Sequence, residues 1–406
     1  MSADKIAKHA RFLILMPFGI GDAVAVGLSA IDQIVKNDPA AYGKIDVVCS
    51  SLQADMFKYD PRIHEIILVD GPLFPTPDAS TWMRGIIPGP KARRLARTLR
   101  SRHYEVVFPG NSTPIFYRRL HARIMKANFR ELLQDFLQLR SDADVPIGKI
   151  TRQAINAYFD NKLPEPAIDE EIPIYVHPQY IQKAFTTLES IKEQSAIPRE
   201  QCRVLLVAPD TSSIITRPPM SLLATGISAA LVQEKDLLVY ILPGYTDTAA
   251  AENLYNALAP DFDQRIFLMP SEPRPLLLEI TMLIDAADIF ITGDTGTMHL
   301  AVTTRKLREG HDASFQPKNA ANTIAIFGGT NPGLHGYSKQ TLILGRGRKE
   351  QARLTPGMFK EAYPCKRRNF FDHIAPQQLT DAIMHLLGSE EATGKEIKEH
   401  RHDQPG

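Results

Sequence analysis

The sequence predicts an α/β protein built of two parallel-sheet halves. Short apolar runs recur along its 406 residues and alternate with helix-like segments. The runs are apolar enough to be strands covered on both faces, which is how parallel sheets are built. The pattern occurs twice, with a polar stretch at Glu189–Gln201 between the two series. Such a repeat predicts two Rossmann-like domains facing each other across a cleft, at 1–190 and 191–388, followed by a polar tail at 389–406. Glu189–Gln201 is the expected hinge.

The first strand is Phe12–Met16. Lys5, Lys8 and Arg11 precede it, which superficially resembles a signal peptide, but Pro17, Gly19, Gly21 and Asp22 end the apolar stretch too early. Ile45–Val48, Glu65–Val69 and Glu105–Phe108 continue the first series. Val204–Val207, Leu237–Ile241, Arg265–Leu268, Ile289–Thr292 and Thr323–Phe327 form the second. Two segments break the rhythm. Gly71–Pro90, rich in Pro and Gly, is a long loop or lid, and Arg305–Ala321 is a polar insertion in an otherwise compact strand–helix–strand unit.

Composition narrows the function classes. With 44% hydrophobic residues the chain can bury a core, and 47 basic against 46 acidic side chains give a net charge of +1. This argues against a nucleic-acid-coating surface. Cys49, Cys202 and Cys365 are too far apart in sequence for a CxxC zinc or redox pair, and the odd count fits a reducing compartment. No apolar run approaches the roughly 18–20 residues of a membrane helix. A cytoplasmic protein is expected. Twelve histidines show no HExxH or paired spacing, so neither metal nor cofactor is expected.

Two segments could carry chemistry. In Asp288-Ile-Phe-Ile-Thr-Gly-Asp-Thr-Gly-Thr-Met-His-Leu-Ala-Val302 an apolar strand ends at Asp294, Thr295 and Gly296, and His299 falls in the first turn of the next helix. Ligands bind at the carboxyl ends of strands in open α/β sheets, and a helix N-terminus there suits a phosphate. The alternative is that Asp294 or Thr295 only caps the helix and His299 packs. In Met16-Pro-Phe-Gly-Ile-Gly-Asp22, Gly19 and Gly21 allow a tight turn after the first strand. Asp22 then enters a helix as a cap or as a general base.

Gly21-Asp22, Asp294-Thr-Gly-x-x-His299 and Phe327-Gly-Gly-Thr-Asn-Pro332 together resemble glycosyltransferase family 9, which contains the ADP-heptose:lipopolysaccharide heptosyltransferases. The resemblance runs from about Arg11 to Leu387 and is strongest between Val204 and Gly333. It implies the GT-B architecture and an inverting, metal-independent transfer of a sugar, heptose from ADP-heptose first, to a glycan or glycolipid such as the lipopolysaccharide core. Asp22 matches the base that deprotonates the acceptor. Thr211 and Ser212 match hydroxyls that touch the donor phosphates, and Asp294, Thr295, Gly296 and His299 match the nucleotide-sugar site.

The chain also departs from that pattern. Thr216-Arg217-Pro218-Pro219 lacks the usual lysine, for which Arg217 is the substitute. Gly244-Tyr-Thr-Asp-Thr248 lacks the usual glutamate, for which Asp247 stands in, and Met16 occupies an often basic position. These departures keep two alternatives open: another nucleotide sugar with a non-lipopolysaccharide acceptor, or a catalytically silent nucleotide-sugar-binding protein.

Residues from Arg84 to Arg130 include twelve basic side chains, with Glu105 the only acid, and Arg93, Arg97 and Arg100 share a helical face. The tract would hold an acidic glycolipid acceptor or touch the inner face of the inner membrane, or else form a solvated helix face. Gly19, Arg93 and Arg97 are accordingly the acceptor-side candidates, and nucleic acid is not expected as a partner. Phe74 and Trp82 would stack on a sugar or pin their loop. Asp142-Ala-Asp144 follows no apolar strand and is taken as loop.

Overall fold

The computed structural model describes residues 12–16, 19–68, 94, 97–99, 101–102, 104, 106–108, 145–168, 170–211, 216–244, 248–307, 322–330, 332–344, 370–371 and 373–388. Ser212, Asp247, Arg93, Phe74, Trp82, Asp142 and Asp144 lie outside them, as do the Gly71–Pro90 loop, most of the 305–321 insertion and the polar tail.

The first half is a parallel sheet of β1 (Phe12–Met16), β2 (Ile45–Cys49), β3 (Ile63–Leu68) and β4 (Val106–Phe108), in the order β3-β2-β1-β4. Pairing of β1 with β2 runs from Phe12↔Ile45 to Met16↔Cys49. The second half is a six-stranded parallel sheet: β6 (Arg203–Ala208), β7 (Leu237–Ile241), β8 (Ile266–Leu268), β9 (Ile289–Gly293), β11 (Thr323–Phe327) and β12 (Thr341–Leu344), ordered β12-β11-β9-β6-β7-β8. β5 (Ile172–Val176) and β10 (Thr303–Leu307) pair with each other in a separate two-stranded sheet.

The central strands of both large sheets are buried on both faces, as their apolar sequences predicted, whereas the edge strand β3 is half-buried to exposed. In β6, Val204 and Leu206 join the core that also contains β1 and β2, while Leu205 and Val207 join a second core. Helices α5 (Met220–Gln233), α6 (Ala249–Phe262) and α9 (Pro376–Gly388) contribute to that second core. Strand order reverses at β1 in the first sheet and between β6 and β9 in the second. These are the topological switch points, where loops diverge and open a crevice beyond the carboxyl ends.

Helix α1 runs on from Ile20–Asp22 through a π segment, Ala23–Leu28, to Ser29–Asn37. The π segment, Ala-Val-Ala-Val-Gly-Leu, is wholly buried. Behind it Asp32 is bonded by Arg152 of α3 (Ile147–Tyr158) at 2.7 Å and by Arg62 at 3.2 Å. The ring of paired charges holds α1, α3 and the turn before β3 together. Helix α2 (Ser51–Phe57) starts with a Ser50–Gln53 capping box.

The expected hinge is partly helix. Helix α4 (Pro178–Gln194) takes in Glu189–Gln194, and Arg199 folds back onto Glu189 and Glu193. Helix α4 packs on α7 (Leu277–Ala286), where Lys183 meets Glu279 at 2.5 Å. Asp55 of α2 caps the same helix by accepting from the Leu278 N–H at 2.9 Å, and burial raises its carboxyl above the usual range.

One other expectation is corrected. The polar Arg305–Ala321 insertion begins inside β10, where Arg305 is buried in a bidentate pair with Asp285 at 2.7 and 2.6 Å. Within the basic tract, Arg102 is committed to Asp46 at 3.0 Å and Glu65 at 2.5 Å, so it offers no free charge to an acidic partner. Among the described residues no helix is long and apolar enough to cross a membrane.

Candidate functional site

Three chain segments leave the carboxyl ends of the switch-point strands. Gly19–Asp22 follows β1, Asp210–Thr211 follows β6, and Asp294–Gly296 follows β9. The first and third touch. A Cβ on Gly296 would lie 2.4 Å from the Ile20 Cβ, and one on Gly21 would lie 2.8 Å from Cδ2 and 3.2 Å from Nε2 of His299. Only glycine fits at both positions. The start of α1 is therefore seated on the start of α8 (Gly296–Ala301), and Asp22 is the next residue after Gly21 in that seat. Gly296→Ala should cost about 1–3 kcal/mol by overpacking this contact. Urea unfolding checks it, and an unchanged midpoint would mean that the two helices part freely.

Gly19, not Asp22, is the N-cap residue of α1, and Asp22 is the half-buried acid of its first turn. The capping alternative for Asp22 is thereby reduced to a favourable position near the positive helix end. Gly19 is exposed with open space around it, and its carbonyl accepts from Gln53 at 3.0 Å. Thr295 is the N-cap residue of α8, yet its side chain makes no capping bond. Thr297 instead meets Thr292, hydroxyl to hydroxyl, at 3.1 Å.

His299 is 5% exposed. Its Nδ1 lies 2.7 Å from the Tyr337 hydroxyl, with the two rings edge-on at 81°. Its Nε2 lies 3.9 Å from an Asp294 carboxylate oxygen. Burial holds the imidazole neutral by pushing its pKa down to about 4; Asp294 opposes this weakly and His335 reinforces it. Burial also raises the Tyr337 phenol, with Asp294 adding to the effect. At neutral pH this corner therefore holds a neutral imidazole and a neutral phenol.

Asp294, His299 and His335 bring ligand atoms within 4.8 Å of one another. Among the described residues they are the side chains at this edge able to hold a divalent cation, His299 through Nε2 alone. Asp46, His64 and Glu65 form a similar group at the amino ends of β2 and β3, but the Asp46 oxygens are taken up by His64, Arg102 and Tyr104.

After β6, Thr211, Thr216 and Pro218 lie over the end of β9. A Cβ on Gly293 would lie 2.5 Å from the Thr216 carbonyl and 3.2 Å from the Thr211 methyl. The Thr216 hydroxyl donates to that of Thr211 at 2.9 Å. Arg217 pairs with Asp210 at 2.7 Å and donates to the Thr211 carbonyl at 2.9 Å. Its Nε is buried with no hydrogen-bond partner among the described residues. A guanidinium N–H left unmet at a strand's carboxyl end suits an anionic ligand.

The structure thus brings Gly21 onto His299 and Ile20 onto Gly296, with Gly19 and Asp22 flanking that seat in sequence and Asp294 beside His299, and it sets Thr211 with Arg217 beside β9. Arg97 is exposed, and no described contact joins it to these residues. Sequence reasoning missed Asp210, His335 and Tyr337. His335 and Tyr337 follow directly on the Phe327–Pro332 motif, so continuing that motif by five residues would have found both.

The sequence matches no protein-family profile and no curated protein. Solved structures do match. The ADP-heptose lipopolysaccharide heptosyltransferase II of Escherichia coli has a TM-score of 0.61 at 16% identity, over 94% of this chain and all of that one. A glycosyl transferase family 9 protein of Veillonella parvula has a TM-score of 0.61 at 13% identity, over 93% and 98%. The E. coli heptosyltransferase WaaC with ADP has 0.51 at 15% identity, over 87% and 99%. At these identities the likeness is one of fold. The chain has the GT-B architecture, two α/β domains of Rossmann type, that the sequence predicted.

Proposed function

We propose that the protein is a glycosyltransferase of the family 9 type. It moves a sugar from a nucleotide diphosphate, ADP-heptose first, to a glycan or glycolipid acceptor such as the lipopolysaccharide core. The observation that carries this reading is the seating of Gly21 on His299 and of Ile20 on Gly296, the two residues that lead directly into Asp22. The fold likeness supports the reaction class.

In this reading residues 1–190 hold the acceptor and 191–388 the donor. Thr211, Ser212, Arg217, Thr295 and the Gly296 backbone hold the diphosphate, Asp247 assists, and Asp294 and His299 face the donor sugar. As the sugar–phosphate bond breaks, negative charge grows on the diphosphate, and preorganised donors stabilise it without a required metal. Asp22 takes the acceptor hydroxyl proton while that oxygen attacks the anomeric carbon from the opposite face, which inverts it. Closure of the two halves excludes water that would otherwise hydrolyse the donor. The protein works in the cytoplasm, with peripheral contact to the inner membrane where its acceptor is a glycolipid.

The Asp210 partner of Arg217 favours a second reading, because it neutralises the cation that Arg217 would offer to the phosphates. That reading is another nucleotide sugar, or binding without transfer. Thermal shift against ADP-heptose, ADP, UDP-sugars and GDP-sugars separates the cases. Ligand at 100 times its Kd should add about 2.7 kcal/mol of stability. A shift confined to the ADP series and lost in Asp294→Ala supports the heptose donor. A shift with UDP- or GDP-sugars instead replaces the donor, and no shift with any of them removes the nucleotide-sugar reading.

A further inference from the structure

The corner behind Asp294 contains a contact that the transfer reading leaves unused. Tyr337 lies beyond β11, 38 residues from His299 in sequence, and its hydroxyl meets Nδ1 at 2.7 Å. The opposite edge of the imidazole, Cδ2 and Nε2, faces Gly21 of the first half. One ring nitrogen is therefore tied to a buried phenol, and the other looks across to the helix that carries Asp22.

A neutral imidazole has a single N–H, and which nitrogen carries it decides what the ring offers. The charged groups around it are Asp294 and His335. Asp294 stands 3.9 Å from Nε2, and His335 has its ring centre 6.4 Å away. A carboxylate facing Nε2 repels a lone pair there and favours an N–H. Nδ1 then carries the lone pair and accepts from the phenol, which is protonated and has a hydrogen to give. At 3.9 Å the Nε2–Asp294 separation is too long for a direct hydrogen bond, so Asp294 does not take up the Nε2 N–H.

We propose that Tyr337 is a positioning residue: its hydroxyl donates to Nδ1 of His299 and, together with the Asp294 carboxylate, fixes the tautomer whose Nε2 N–H faces Gly21 and the helix that carries Asp22. Without it, Nδ1 would be a buried acceptor with no donor and the preference for Nε2–H would rest on Asp294 alone, so the Nδ1–H form would gain population. The catalytic consequence rests on the transfer reading above; the tautomer does not.

Two measurements test this on the full-length protein. The first is long-range proton–nitrogen NMR on ¹⁵N-histidine-labelled, ligand-free protein, with the His299 signals identified by their absence in His299→Ala. The Nε2–H pattern is expected, with Nδ1–H appearing in Tyr337→Phe. A wild-type Nδ1–H pattern overturns the proposal whether or not the protein transfers sugar, and so does a Tyr337→Phe spectrum with the tautomer unchanged.

The second is a double-mutant cycle on kcat/KM with the nucleotide sugar that gives the largest thermal shift. Tyr337→Phe should lower it about tenfold, the order expected for a buried group left unmatched, and should have no further effect in a His299→Ala background. Losses that multiply would show that Tyr337 acts independently of His299. An Nε2–H tautomer in a protein with no transferase activity would uphold the positioning role and reject only the sugar-transfer reading.

Discussion

Asp22→Asn should lower sugar transfer by about 10²–10⁴-fold while nucleotide binding survives, because removing a positioned base costs a factor of that size. The amide has nearly the carboxylate's shape, so the seat of α1 on α8, made by Ile20 and Gly21 against Gly296 and His299, is undisturbed. Stability should barely change. Asp22 occupies the first turn of α1 and is not its N-cap, so its electrostatic contribution is about 0.3–1 kcal/mol. Turnover is compared with the thermal shift given by the donor nucleotide alone. A variant that keeps more than about a tenth of wild-type turnover removes Asp22 as the base and leaves it as a favourable first-turn acid. Loss of nucleotide binding along with transfer would instead place Asp22 in donor binding.

The glycines of this site were legible in the sequence for a physical reason. Backbones that approach as closely as Gly21 to His299 and Gly296 to Ile20 exclude any side chain, so the motif marks the contact even with no partner in view. The strands β1, β9 and β11 were legible because burial on both faces makes them apolar throughout. β5 and β10 were not. Ile172–Val176 contains a proline, and Thr303–Leu307 contains a lysine and a buried arginine, since a two-stranded ribbon away from the main sheets is held by polar contacts as much as by apolar packing. Asp210 facing Arg217 and Tyr337 facing His299 were hidden for a different reason. Each pairing is set by how loops fold at a sheet edge, and neither partner has a periodic position to betray it.

Arg305→Met should destabilise the fold by about 3–5 kcal/mol at pH 8, the usual cost of stranding one member of a buried ion pair. Arg305 donates to both oxygens of Asp285 and also to the carbonyls of Leu300 and Thr303, so it ties the C-terminal turn of α8 to α7. The penalty should shrink as pH falls. Burial already pushes the Asp285 carboxyl up to about 6 against the pull of Arg305, and removing the guanidinium moves it higher still. The sign follows from linkage. A carboxyl whose folded pKa is raised binds protons more tightly when folded, so its destabilising effect is complete above that pKa and fades as pH falls toward the unfolded value near 4. At pH 5 the variant holds a neutral acid in place of an unpaired charge, and the difference from wild type should be clearly smaller than at pH 8. Urea unfolding at the two pH values reads this directly, and an equal penalty at both would mean that Asp285 stays ionised without its partner. Because α8 carries His299, the pH 8 measurement should also show weaker binding of the donor nucleotide. A variant that lost stability but bound nucleotide normally would confine Arg305 to holding β10 in place.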